Sequence, residues 1–136
     1  MMGYDDIQSG SLIEYQFLWH RESLRGEVEG RKLRPCAVVL RLRNSFVIMP
    51  LTTKRPAETI LAIPFPEIEA ERLRMERGIE RWVIIEEINI DEIPSSVMEP
   101  NALIGQLSKS FGRQLVETLR KNIKKVKTIN RKDAGS

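Results

Sequence analysis

Cysteine and histidine are nearly absent: the 136 residues contain one of each, Cys36 and His20. A single cysteine excludes an intrachain disulfide and a cysteine-based zinc site, and no other cluster of metal-ligating residues stands out. Cys36 lies in an apolar run and reads as a small buried hydrophobe. No apolar run approaches the ~20 residues needed to span a bilayer. The opening MMGYDDIQSG is acidic, where a secretory signal needs a basic stretch followed by an apolar one. The cytoplasm is therefore the expected compartment, and no membrane is expected as a partner. There is no internal repeat. G-x-G-x-x-G, G-x-x-x-x-G-K, H-E-x-x-H and C-x-x-C are all missing, so Walker-type nucleotide hydrolysis and metalloprotease chemistry have no support.

What is present suffices for one core. Hydrophobic residues make up 41% and charged residues 30%, the balance of a folded chain rather than a disordered one, and the length suits one domain. The formal net charge of +3 conceals an asymmetry. Residues 108–136 hold nine Lys and Arg against Glu117 and Asp133, whereas the remainder holds 13 basic and 17 acidic residues. A basic C-terminal segment suits a phosphate backbone or an acidic protein. It equally suits a solvated helix face with a solubilising tail.

The most informative stretch is residues 34–53, RPCAVVLRLRNSFVIMPLTT. Two apolar runs, residues 36–42 and 46–51, are joined by Arg43-Asn44-Ser45. This pattern predicts a β-hairpin buried on at least one face. Arg34 and Pro35 stand at its entry, Thr52 and Thr53 at its exit. The two ends of a hairpin are spatial neighbours, so a guanidinium and two hydroxyls are expected at one rim of a sheet.

Before the hairpin, Ile13, Tyr15, Phe17 and Trp19 alternate with Glu14, Gln16 and Leu18, the period of a strand. Residues 20–33 are polar, with Gly26 and Gly30, and read as a long mobile connection that begins at His20. After the hairpin, the pattern predicts a short strand at residues 59–63 and a short helix at 67–77 ended by Gly78. A strand follows at 82–90, then a short one at 102–107. Glu86 and Glu87 interrupt the apolar run of the longer strand. Successive strand residues face opposite ways, so only one of the two shares a face with Ile84 and Ile88. Ser108 is placed to cap a final amphipathic helix carrying Phe111, Leu115, Leu119 and Ile123.

Taken in order, Gly10-Ser11-Leu12-Ile13, then Arg34-Pro35 with Ala37-Val38-Val39-Leu40, then Pro50-Leu51-Thr52-Thr53 resemble the MazF/PemK family, the toxins of bacterial toxin–antitoxin pairs. The resemblance spans about residues 10–125 and extends to the acidic end of the later strand and to Gly105-Gln106-Leu107-Ser108 before the last helix. It implies a mainly β fold with α: a small SH3-like barrel of the MazF/PemK/CcdB type with a C-terminal amphipathic helix. The domain is then residues 10–127, between a flexible leader (1–9) and a flexible basic tail (128–136).

The resemblance further implies a metal-independent endoribonuclease that cleaves single-stranded RNA by 2′-hydroxyl transesterification without a cofactor. Such toxins are homodimers, and a cognate antitoxin blocks their RNA groove. Arg34 matches the family's R-P arginine, whose fork of donors suits the phosphate in flight, and Thr52 matches the P-x-T threonine. Glu86 lies at or next to the family's acidic position. Glu86 or Glu87 then serves as general base, unless the arginine acts without one. Thr53, Lys54, Arg31 and His20 are the expected RNA contacts. His20 is either a proton carrier or merely a polar strand terminus, and the 20–33 connection is expected to cover the groove.

Two departures bear on activity. Ser11 stands where the family has aspartate, and Ile84 where it often has a second arginine. They keep open a catalytically silent barrel that binds RNA or protein. A gyrase-poisoning activity like that of the CcdB family is disfavoured, because the chain has no C-terminal Trp-Gly-Ile motif.

Overall fold

The computed structural model describes residues 3–27, 30, 32–93, 98–99 and 101–131. Among these residues eight strands dominate: β1 (Ser11–Tyr15), β2 (Arg34–Arg41), β3 (Ser45–Thr52), β4 (Ala62–Pro64), β5 (Trp82–Ile84), β6 (Glu87–Glu92), β7 (Leu103–Gln106) and β8 (Lys127–Asn130). Three helices accompany them: α1 (His20–Leu24), α2 (Glu67–Arg72) and α3 (Lys109–Lys121). The mainly β expectation holds. The strand path runs β4-β5-β3-β2-β1-β7, with β6 on β3 and β8 on β6. Every pairing is antiparallel except β6–β8. The path ends β4 and β7 do not pair, so the sheet is open among the described residues. No helix among them is long and apolar enough to cross a membrane.

The predicted hairpin is the centre of this sheet. β2 and β3 pair from Cys36↔Pro50 to Arg41↔Phe46, with a bulge between Val38 and Leu40. Alternation sets Ala37 and Val39 with Val47 and Met49 beneath α3 and Val38 and Ile48 in the opposite core, and the bulge lets Leu40 pack on the same side as Val39. Ser108 caps α3 as expected, accepting the Phe111 N–H at 3.1 Å. Phe111, Leu115 and Leu119 are buried on the sheet, and Phe111 meets Phe65 edge-on with ring centroids 5.5 Å apart. Each such side chain contributes about 1.5–3 kcal/mol by leaving water. Ile123 breaks the pattern: it lies in a 3-10 turn beyond the helix and is exposed.

The opposite face of the sheet is covered by Tyr4 and Ile7, by Phe17 and Trp19, and by Met98 and Ala102. Ile13, Tyr15, Phe17, Trp19, Cys36, Val38, Phe46, Ile48 and Ile84 are packed there with Ile7 and Met98. Residues 3–9 are thus docked, which corrects the expectation of a loose leader. Ile7 is fully buried, the Tyr4 hydroxyl donates to the Met98 carbonyl at 2.6 Å, and Arg41 donates to the Tyr4 and Ile7 carbonyls. For residues 128–131 the expected basic tail is corrected in the same way, since β8 runs from Lys127 to Asn130, Ile129 is buried and Arg131 is 5% exposed, while residues 132–136 lie outside the described residues. A backbone ladder with β6 and a buried ion-dipole network outweigh the polar composition that suggested disorder. Ser11 caps the turn before β1, its hydroxyl accepting the Gln8 N–H and donating to Gln106.

Cys36 is fully buried, as its apolar context predicts. Burial pushes its thiol well above the ordinary 9.0, against the opposing pull of Arg34. The neutral form is favoured in the fold, so this stabilisation is complete below the unfolded value and is lost as pH rises above it. One group that ionises only on unfolding lowers stability by about 1.4 kcal/mol per pH unit. The native thiol is therefore expected to resist a thiol reagent near neutral pH and to react once urea unfolds the chain. A Cys36→Ala variant should show a shallower loss of urea midpoint above about pH 9. Fast native labelling, or an unchanged slope, counts against a buried thiol.

Candidate functional site

The two ends of the hairpin do meet. Carrying the Cys36↔Pro50 register two residues outward sets Arg34 opposite Thr52. Tyr15 pairs with Arg34 on one side and Trp82 with Thr52 on the other, giving a transverse row across four strands. Arg34, Thr52, Thr53 and Lys54 all line one cleft of about 930 Å³, within the size range of small-ligand sites.

Among the described residues six cationic side chains line it, Arg21, Lys32, Arg34, Lys54, Arg55 and Arg81, against one carboxylate, Glu87. The eight described basic residues at positions 108–131 contribute none of them. Trp19 forms part of the wall. The guanidinium carbons of Arg21 and Arg34 lie 5.1 and 5.2 Å from its ring centroid, a cation–π arrangement that holds both groups without neutralising them. Among the described residues Arg34 is in no ion pair, and its buried Nε has no hydrogen-bond partner. The Thr52 hydroxyl accepts the Lys54 N–H at 3.1 Å, which leaves its own proton free to donate to a ligand.

Glu87 reaches the cleft and Glu86 does not, a correction to the expected placement of Glu86. In one continuous strand Ile84, Glu86 and Ile88 share a face. Here the chain bends at Ile85 and Glu86, between β5 and β6. Ile84 and Glu87 then line the cleft, while Val83, Ile85 and Ile88 lie in the core under α3. The bend lies opposite Met49 and Pro50, between the Ile48↔Asn89 and Leu51↔Val83 pairs. Pro50 has no N–H to offer a ladder there. Glu86 instead accepts the Leu61 N–H at 2.9 Å, and its carbonyl accepts the Lys127 N–H. Both of its polar groups tie neighbouring segments to the turn.

His20 begins α1, and its ring is not part of the cleft wall. Its backbone N–H donates to Glu87 Oε1 at 2.7 Å, so this position orients the carboxylate through the main chain. Arg31 lies outside the described residues. Sequence reasoning missed Trp19, Arg21, Lys32, Arg55 and Arg81. Arg55 follows Lys54 and Arg81 precedes Trp82, yet a turn and a strand entry explain those dipeptides equally well without the fold. Among the described residues no group of three or more His, Cys, Asp or Glu is placed to hold a metal ion.

No family model matches this chain, and no curated protein matches its sequence.

Proposed function

We propose that this cleft belongs to a MazF/PemK-like toxin of SH3-like fold, an endoribonuclease that cuts single-stranded RNA without a metal ion. The observation that carries the reading is the convergence of Arg34, Thr52 and Glu87 in one cleft dominated by cations. A polyanion is the ligand such a wall favours, and its binding should weaken steeply with salt. Glu87 takes the proton of a 2′-hydroxyl, and that oxygen attacks the adjacent phosphorus. Arg34 and the Thr52 hydroxyl hold the phosphorane oxygens, where charge accumulates. The bond to the 5′-oxygen breaks. The products are a 2′,3′-cyclic phosphate and a 5′-hydroxyl that takes its proton from solvent at the open side of the cleft. Homodimerisation, an antitoxin that covers the cleft and a cytoplasmic setting belong to the same proposal.

The test is incubation with long single-stranded RNA in the presence of a chelator. Wild-type protein should yield discrete cuts with cyclic phosphate and 5′-hydroxyl ends. Glu87→Gln should cut about 10²–10⁴-fold more slowly, the usual contribution of a general base. Glu86→Gln should retain activity once checked for folding. Equal activity in Glu87→Gln removes the assigned base.

One observation favours a second reading. Ile84, an apolar residue, lines the cleft where the resembled family often carries its second arginine. A silent RNA-binding barrel predicts salt-sensitive RNA binding with no cuts from any folded preparation.

A further inference from the structure

A second depression, about 470 Å³, adjoins the main cleft and shares Arg55 and Arg81 with it. Its other walls include Trp82, Phe65, Glu67 and Glu80. Trp82 is held from both sides, paired with Thr52 on β3 and with Pro64 on β4. The Arg55 guanidinium lies 5.7 Å from its ring centroid. Arg81 is anchored by the Glu76 carbonyl at 3.0 Å and the Ile79 carbonyl at 3.4 Å. The aromatic platform and one of its two flanking cations are therefore set before any ligand arrives.

The two depressions differ in chemistry. Among the described residues the main cleft sets six cations against one carboxylate, whereas the second sets two against two and adds an aromatic face. A phosphate gains little in the second, because Glu67 and Glu80 repel it. A flat neutral ring suits it: stacking on Trp82 is indifferent to charge, and ionised carboxylates accept hydrogen bonds only. The geometry points to a base-stacking subsite in which Trp82 receives the nucleobase next to the phosphodiester held by Arg34 and Thr52. Glu67 and Glu80 favour a base with an exocyclic amino group, such as adenine, cytosine or guanine. Uracil offers only a ring N–H between two carbonyls and is disfavoured. Arg55 and Arg81, common to both depressions, carry the connecting backbone. This inference rests on the reading of the main cleft as a single-stranded RNA site.

The experiment has two independent readouts. The first is tryptophan fluorescence of a Trp19→Phe protein, in which Trp82 is the only indole, titrated with uncleavable deoxyadenosine, deoxycytidine and deoxyuridine hexamers. Quenching is expected, with deoxyuridine binding most weakly and Glu67→Gln/Glu80→Gln narrowing the difference. The second is RNA cleavage, where Trp82→Ala should lose about 10-fold or more in kcat/KM, the order of one stacked base. Trp82→Phe should recover most of it, which separates stacking from loss of fold. Hexamer binding without Trp82 quenching, no hexamer binding at all, or a Trp82→Ala protein within 2-fold of wild type overturns the subsite. Quenching by hexamers in a protein that cuts no RNA upholds the subsite and overturns the ribonuclease reading instead.

Discussion

Arg34→Ala is expected to lower RNA cleavage by about 10²–10³-fold, the loss typical of removing one preorganised donor from a developing oxyanion. RNA affinity should fall much less, because five other cations line the same cleft. The effect should appear in kcat more than in KM, since the guanidinium matters most where charge builds up. Arg34 is suited to this role because the fold leaves it unspent: it is only part-buried and in no ion pair among the described residues. Its removal should therefore cost little stability. Arg34→Lys should not restore the rate, because a point charge lacks the planar fork that spans two phosphate oxygens. Thr52→Ala, which loses one neutral donor, should fall between wild type and Arg34→Ala. The measurement is single-turnover cleavage of a defined RNA with binding followed separately. If Arg34→Ala loses affinity and rate in equal proportion, the residue is a binding contact and the assigned role is wrong.

The largest effect on stability is expected away from the cleft, at Asn89. This side chain is fully buried and engages both backbone polar groups of one residue, Leu18. Its Oδ1 accepts the Leu18 N–H at 2.8 Å, and its Nδ2 donates to the Leu18 carbonyl at 2.9 Å. Arg131 Nη1 reaches the same Oδ1 at 3.2 Å, the Tyr15 hydroxyl at 3.1 Å and the Gln16 carbonyl at 2.7 Å. Tyr15 in turn donates to Asp91 at 2.8 Å. Burial, opposed by Arg131 and reinforced by Asp91, pushes the Tyr15 hydroxyl above its ordinary range. Tyr15 therefore stays protonated as a donor.

Asn89→Ala strands a buried N–H and a buried carbonyl at once, each costing about 1–3 kcal/mol. A loss of about 3–5 kcal/mol in urea unfolding is expected, with Tm lower by about 10 °C or more. Asn89→Asp keeps the acceptor but loses the donated bond, and should fall between. Leu18 precedes Trp19, so Asn89→Ala should also weaken RNA binding at temperatures where the variant is still folded. A stability loss below about 1 kcal/mol would show that the network is dispensable.

Several features were legible because they depend on near neighbours in the chain. The apolar runs around Arg43-Asn44-Ser45 specify β2 and β3, and their pairing alone brings Arg34 to Thr52. The four-residue recurrence of Phe111, Leu115 and Leu119 and the capping hydroxyl of Ser108 specify α3. Burial of Cys36 followed from its place in an apolar strand. Other features were not legible, because their cause lies far away in sequence. Residues 128–130 look like part of a solvated tail until β6 supplies a ladder and Tyr15 and Asn89 receive Arg131. Residues 3–9 look loose until Ile7 finds the core.

By itself, then, the sequence determined a mainly β chain with a buried central hairpin, a capped C-terminal helix and an arginine and threonine side by side at one rim. Local periodicity and turn chemistry suffice for each of these. Tertiary structure decided which carboxylate joins them. The bend opposite Pro50 slips the strand parity by one residue, so Glu87 turns into the cleft and Glu86 turns to the Leu61 amide. It also decided that Trp19 and Arg21, Arg55 and Arg81, from three separate segments, converge on the hairpin rim. Strand alternation records only which neighbours share a face; which segments meet across the sheet is set by long-range pairing and burial.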